Sequence, residues 1–404
     1  MNRSRQALII GGGIAGPAAA MALLKADIEP VVYEAHPVPE PGAGSFLTLA
    51  TNGIGALRTL GEAEGATAVG FPTTAMVFWT GSGKRLGEAQ VSIALEDGTT
   101  GRTLKRADLY RVMRQEALRC GIRFEHGKRL VSAAESRDGV RATFADGSEA
   151  AGDLLVGADG VHSTVRRLID PDAPAPRYAR LVNLGGFVRG VAVDADPGTY
   201  HMIFGTRAFF SYALAPDGEV WWFANLPQPR EPSRETLRGI TSGEWRRRLV
   251  ETFAGDVGPA VALIEATTHE LEATVFHTLP SLPRWHSERM IVIGDAAHAP
   301  SPSSGQGASL SIEDAVQLGK SLRDHPDLAS ALAAVESIRR QRVEPIVKAA
   351  ARVNNNKAAT GVARVLRDLM LPVGLKLMTS SRQARRLYGY KIDWETPDPV
   401  PSAR

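Results

Sequence analysis

Gly11-Gly12-Gly13-Ile14-Ala15-Gly16 is a G-x-G-x-x-G run between an apolar strand, Ala7-Leu8-Ile9-Ile10, and a helical stretch of small residues from Ala15 to Leu24. In that setting Gly11 permits a tight turn, Gly13 lets the backbone approach a pyrophosphate, and Gly16 lets the helix pack on the strand. The helix start at Ala15 adds free amides and a partial positive charge that suit a diphosphate. Glu34 closes the next strand about 18 residues further on, where its carboxylate can accept from a ribose 2′-OH. This chemistry fits an unphosphorylated adenosine ribose, as in FAD or NAD, and does not choose between them.

The choice comes from a second group. Ile291-Val292-Ile293-Gly294-Asp295-Ala296-Ala297-His298 is an apolar strand ending in Gly-Asp, followed by Pro300, Pro302 and Gly305-Gln306-Gly307 at a helix start. The Asp295 carboxylate can bind ribityl hydroxyls. The amides of Gly307, Ala308 and Ser309 lie where a helix N-terminus can stabilise negative charge at N1 and C2=O of a reduced flavin. A third run, Asp153 to Arg166, is a strand entering Asp159-Gly160-x-x-Ser163-x-x-Arg166.

With these three motifs in this order, the chain resembles the class A FAD-dependent aromatic hydroxylases of the p-hydroxybenzoate hydroxylase fold, over about its first 320 residues. The resemblance implies that Glu34, with Ala35 beside it, holds the adenosine ribose, that Arg106 contacts the FAD diphosphate region, that Asp159 of the third motif is a further cofactor-binding residue, and that the backbone at Leu130 meets the adenine. Asp295 would hold the ribityl chain, and Gly44 and Ser45 of Gly42-Ala43-Gly44-Ser45 would lie beside the isoalloxazine. Two positions depart from the family pattern. His36 stands near where a basic residue often follows the ribose-binding Glu, and Ser309 stands where Asn is frequent, which is tolerable if only its amide is used.

The implied activity is that of an FAD-dependent monooxygenase: NAD(P)H, bound transiently, reduces the flavin, O2 adds to its C4a carbon, and the hydroperoxide hydroxylates or epoxidises an aromatic or polyketide-like small molecule. The cofactor carries the chemistry and the protein binds, shields and orients, so no catalytic side chain is assigned. Rival readings are a reductase or dehydrogenase on the same fold, a flavin halogenase, and a non-catalytic FAD-binding protein. Trp221-Trp222-Phe223 and the residues after it match a halogenase motif only superficially. Phe204, Phe210, Tyr212 and Trp222 are the candidate substrate contacts, although strand alternation alone does not say which face each uses. His201, His269, His277 and His298 are further candidates, each more readily explained as structural.

Positioning these groups takes a strand, a glycine turn, a helix and a strand in the first 34 residues, a βαβ unit with a parallel sheet and a right-handed crossover. A helix over 104–119 and a β-meander up to Val156 follow. Successive strands at 182–193, 200–205, 209–215 and 220–226 predict an antiparallel sheet with aromatic faces, interrupting the α/β chain. Helical patterns return at Ser242 to Phe253, Gly307 to Arg323 and Leu328 to Asn355, the last containing Pro345. The expected fold is α/β: a Rossmann-type FAD-binding domain with an inserted antiparallel-sheet substrate domain and C-terminal helices. The expected boundaries are 1–175 and 281–330 for the FAD-binding domain, 176–280 for the substrate domain and 331–404 for the helical region.

The 404 residues, 44% hydrophobic and 23% charged, allow a large core and argue against disorder. A net charge of +3 makes no basic stripe for nucleic acid. The single Cys120 excludes an intramolecular disulfide and any cysteine-based zinc site, so no metal is expected and a reducing cytoplasm fits. No apolar run reaches the roughly 20 residues needed to cross a bilayer. The expected partners are a small aromatic substrate and O2, for a monomer or homodimer.

Overall fold

The computed structural model describes residues 5–37, 46–61, 63–279, 281–357 and 381–398. Apolar strands that alternate with helices build a parallel sheet, because both faces of each strand must be covered. Its five strands run in the order Met290–Val292, Leu154–Gly157, Arg5–Ile10, Ile28–Glu34 and Arg123–His126, all parallel. The helices Ala15–Lys25 and Gly307–Asp324 pack against each other on one face, with Ala18, Ala19 and Ala22 fully buried. These small residues allow close approach: a Cβ at Gly319 would lie 2.5 Å from the Ala22 carbonyl oxygen. On the other face an antiparallel meander of Leu130–Ser136, Gly139–Phe144 and Glu149–Gly152 covers a second core containing Tyr33, Phe144 and Leu155.

The second large sheet is mostly antiparallel and has seven strands in the order Thr274–Thr278, Arg177–Val188, Val220–Pro227, Phe209–Leu214, Thr199–Phe204, Ala75–Thr80 and Arg85–Gln90. Its last two come from well upstream of the 176–280 segment. They form a hairpin around Gly81-Ser82-Gly83-Lys84, and Ala75–Thr80 pairs parallel with Thr199–Phe204. Sequence periodicity identifies a strand but not its distant neighbour, so this pairing was not foreseen. The helices Ser242–Phe253 and Ala260–Glu265 cover one face through Trp245, Leu249, Phe253, Leu263 and Ile264.

A small sheet of Phe46–Leu49, Arg102–Lys105 and Phe71–Pro72 lies against the other face, as the Phe46 and Phe71 rings on Trp221 show. The helix Leu328–Lys357 runs through Pro345. A C-terminal segment beginning with helix Ser381–Tyr388 returns to the parallel-sheet layer, where Tyr390, Ile392 and Trp394 join the main core. Among the described residues, no helix is long and apolar enough to cross a membrane, and no group of three acidic, histidine or cysteine side chains could hold a metal ion.

Candidate functional site

All three sequence motifs converge at the C-terminal edge of the parallel sheet, the end at which α/β sheets bind ligands. Gly11 has φ +109°, and a Cβ there would sit 2.4 Å from the Ala158 carbonyl oxygen, so the first and third motifs meet without a side chain between them. A Cβ at Gly16 would lie 1.9 Å from the Gly11 carbonyl oxygen. Gly294 has φ +59°, and its missing Cβ would lie 3.3 Å from that of Ala15, which joins the second motif to the first. Arg166, buried, donates to the carbonyls of Ala296 at 3.0 Å and Val161 at 2.8 Å, which joins the third motif to the second.

The cradle fits a flavin dinucleotide. A Cβ at Gly13 would meet nothing within 4 Å, leaving the open space a pyrophosphate requires. The helices Ala15–Lys25 and Gly307–Asp324 both begin without a side-chain cap, so their leading amides keep their donors for a ligand. Asp295 opens onto this space, and the missing Cβ of Gly307 lies 3.9 Å from its Oδ1. Desolvation raises the Asp295 pKa, against the charges of His298 and Arg106. Arg106, exposed at the start of helix Arg106–Arg119, donates to the Tyr110 hydroxyl at 2.6 Å through Nη2.

Other assigned residues have defined local roles. The Glu34 carboxylate accepts from the amides of Gly12 at 2.7 Å and His36 at 2.8 Å, which fixes it beside the glycine turn, with Ala35 half-buried next to it. Leu130 begins the meander within the buried cluster that includes Tyr33 and Phe144. Asp159 accepts from Ser163 Oγ at 2.5 Å, Thr164 N at 2.7 Å and Val165 N at 3.1 Å. Its oxygens thus close its own turn, and desolvation, opposed by these bonds, raises its pKa. Ser309 is buried with its hydroxyl accepting from Ala50 N at 3.0 Å, while Gly307 and Ala308 are half-buried at the helix start. Gly44 and Ser45 lie outside the described residues.

The substrate-contact assignment needs correction, because alternation along the strands sorts the aromatics onto two faces. Phe204 lies on the face with Phe209, Trp221 and Phe223, toward Phe46 and Phe71. Phe210, Tyr212 and Trp222 point the opposite way, into the core under helices Ser242–Phe253 and Ala260–Glu265, where Trp222 Nε1 donates to Thr267 Oγ1 at 3.0 Å. The first of these faces includes the Phe46 ring, 5.5 Å from Trp221 and 5.8 Å from Phe223. Lys105 Nζ lies 4.2 Å from the Phe187 ring centroid and 3.2 Å from Glu219. Lys105 and Arg106 are consecutive, so this face adjoins the dinucleotide cleft.

The four candidate histidines have other partners. His201 stacks between Trp79 and Tyr212, His269 Nε2 accepts from Phe187 N at 3.2 Å, and His277 Nε2 lies 2.9 Å from Glu231. His298 is buried with Nε2 2.5 Å from Asp314. Sequence reasoning passed over Asp314 and the cluster around it, Asn52, Glu313, Arg339 and Arg342, and named Gln306 only as part of a glycine turn. The available signal was adjacent Glu313 and Asp314 in a helix buried nearly all round.

The family profile described as FAD binding domain matches residues 4–350. An FAD-dependent urate hydroxylase of Klebsiella pneumoniae is 33% identical over 350 residues, covering 85% of this chain and 88% of the relative. The aurachin C monooxygenase/isomerase of Stigmatella aurantiaca is 30% identical over 352 residues, with 86% and 88% covered. The crystal structure of Klebsiella pneumoniae HpxO complexed with FAD and uric acid superposes with a TM-score of 0.82 at 28% identity, covering 95% of this chain and 96% of that one.

Proposed function

The chain belongs to the FAD-binding-domain family of class A FAD-dependent monooxygenases, and from that premise we propose that it oxygenates an apolar aromatic or polyketide-like small molecule held against the Phe46, Phe187 and Phe223 face. FAD is its cofactor, and NAD(P)H is the reductant. When bound, FAD would supply the redox chemistry by which two electrons from NAD(P)H and one O2 put one oxygen atom on an electron-rich carbon and release the other as water. The observation that carries the reading is the junction of two uncapped helix N-termini and Asp295 with an aromatic sheet face through consecutive Lys105 and Arg106.

The chain's own groups bind, orient and exclude water. Gly13 and the leading amides at Ala15 face the diphosphate region, Glu34 the adenosine ribose, and Arg106 the negative charge between them. Asp295 would accept from the ribityl hydroxyls, and the amides of Gly307, Ala308 and Ser309 would stabilise negative charge at the pyrimidine end of the ring. The half-buried rings of Phe46, Phe187 and Phe223 supply an apolar wall, and Glu219 already answers the Lys105 charge on that face. This favours a substrate recognised by ring stacking over one recognised by an anionic group. In the division of labour we favour, 1–175 and 281–330 bind FAD, 176–280 with the 75–90 hairpin binds substrate, and 331–404 supports the FAD site, in a cytoplasmic monomer or homodimer.

The test is to follow NADPH oxidation, O2 uptake and product mass with phenols, quinolones and polycyclic aromatics. Substrate-accelerated NADPH oxidation with O2 uptake and one added oxygen atom is expected. NADPH oxidation with a reduced product and no O2 uptake would favour the reductase reading.

A further inference from the structure

Beneath the FAD cradle lies a buried cluster of charges, close enough to Asp295 for His298 and Asp314 to act on its charge but separate from the cofactor positions assigned above. Asp314 is fully buried on helix Gly307–Asp324. Its Oδ2 accepts from the Gly294 amide at 2.8 Å and from His298 Nε2 at 2.5 Å, and its Oδ1 accepts from Arg339 Nε at 2.7 Å. Arg339, also fully buried, donates through Nη2 to Glu313 Oε2 at 2.7 Å. Glu313 Oε1 accepts from Asn52 Nδ2 at 2.7 Å, and the same Asn52 nitrogen donates to Gln306 at 3.0 Å. Arg342 completes the cluster, donating to Glu313 Oε1 at 3.1 Å and to the Leu387 carbonyl at 2.7 Å, with its guanidinium 4.4 Å from the Tyr390 ring.

Both ends of the flavin cradle are therefore tied to one cluster: the Gly294–Asp295 turn through Asp314, and Gln306, the residue before the helix start, through Asn52 and Glu313. Fold stability is a poor explanation for it, since the desolvation of buried ion pairs often cancels their attraction. The Gly294 turn is also a place where position matters. A Cβ there would lie 2.7 Å from Ser311 Oγ, and the next residue is Asp295. We propose that Asp314 is a positioning residue that presets the Gly294–Asp295 turn for FAD before the cofactor arrives, with Arg339 and Glu313 holding Asp314 in register. Preorganisation of this kind raises affinity by removing an ordering cost from the binding step. The inference rests on FAD occupying this cleft.

Two double variants separate positioning from charge burial. Asp314→Asn with Arg339→Met removes both charges and keeps an oxygen acceptor for the Gly294 amide, whereas Asp314→Leu with Arg339→Met removes the acceptor as well at similar volume. Apoprotein is titrated with FAD and read by the bound-flavin absorbance spectrum. The Asn pair should bind within about threefold of the parent and the Leu pair at least about tenfold more weakly, with the two apoproteins melting alike. Equal affinity of the two pairs would overturn the proposal. Hydrogen exchange on the parent decides even if neither variant folds: the Gly294 amide should be equally protected with and without FAD, and protection gained only on FAD binding would overturn the preset turn. A parent apoprotein that binds FMN but not FAD would instead indict the FAD assignment.

Discussion

Asp295 and Asp314 are carboxylates on neighbouring elements with opposite fates, and their surroundings explain why. Asp295 opens onto the cleft, and among the described residues only the charges of His298 and Arg106 oppose its desolvation, so its pKa is raised; ribityl hydroxyls would supply hydrogen bonds. Asp295→Ala should therefore weaken FAD binding by about 1.5 to 3 kcal/mol, roughly ten- to 150-fold, measured by FAD titration of apoprotein. Full FAD retention would show that the turn serves structure alone. Burial would also raise Asp314, but the charges of His298 and Arg339 outweigh it and hold the group at about 2. Its folded pKa is then below the unfolded value of about 3.9, so its stabilisation is present above that value and is lost as pH falls toward 2. Melting temperature should fall more steeply from about pH 4 to pH 2 in the parent than in the Asp314→Asn, Arg339→Met variant, and parallel curves would contradict the assignment. Gly11, Gly13, Gly16 and Asp295 were legible because a backbone that must approach a ligand restricts residue type within a short window. Asp314 and Arg339 were not, since a charge reads as exposed until its partner on another helix is placed beside it.

At the scale of elements, a strand's alternation is legible but its orientation is not. The strands at Phe209–Leu214 and Val220–Pro227 were recognised to within a residue or two, yet Phe210, Tyr212 and Trp222 were assigned to the substrate face. What decides the face is the covering of the sheet by Trp245, Leu249 and Phe253 of a separate helix, a tertiary fact that no window of the strands contains. Trp222 is fully buried and stacks on Phe210 with ring centroids 5.5 Å apart. Trp222→Ala should thus cost about 3 to 5 kcal/mol of stability, read by urea unfolding of the holoprotein. Folded variant protein should still form hydroxylated product per NADPH oxidised in the parent's proportion. A loss of coupling without a loss of stability would return Trp222 to the substrate wall.

In the arrangement proposed above, a redox cofactor site and an apolar sheet face would share one cleft, and efficiency would depend on keeping water out while oxygen is transferred. The sheet does this only if its flavin-side rings close the gap, and the Phe46 ring is packed against Phe187, Tyr200, Trp221 and Phe223 together. Phe223 is the member to test, because it is half-buried and its removal opens the wall without emptying the core under the helices. Phe223→Ala should keep FAD and lose less stability than Trp222→Ala, since less of its surface is withdrawn from water. NADPH oxidation should continue, but hydroxylated product per NADPH should fall severalfold and hydrogen peroxide should rise to match, because O2 reduced without oxygen transfer must leave in that form. The two variants form a matched pair across one sheet: the inward Trp222 should report in stability and Phe223, on the opposite face, in peroxide. If Phe223→Ala stays folded and coupled, water is excluded by other groups, and Phe46 and Phe187 are the next positions at which to open the wall.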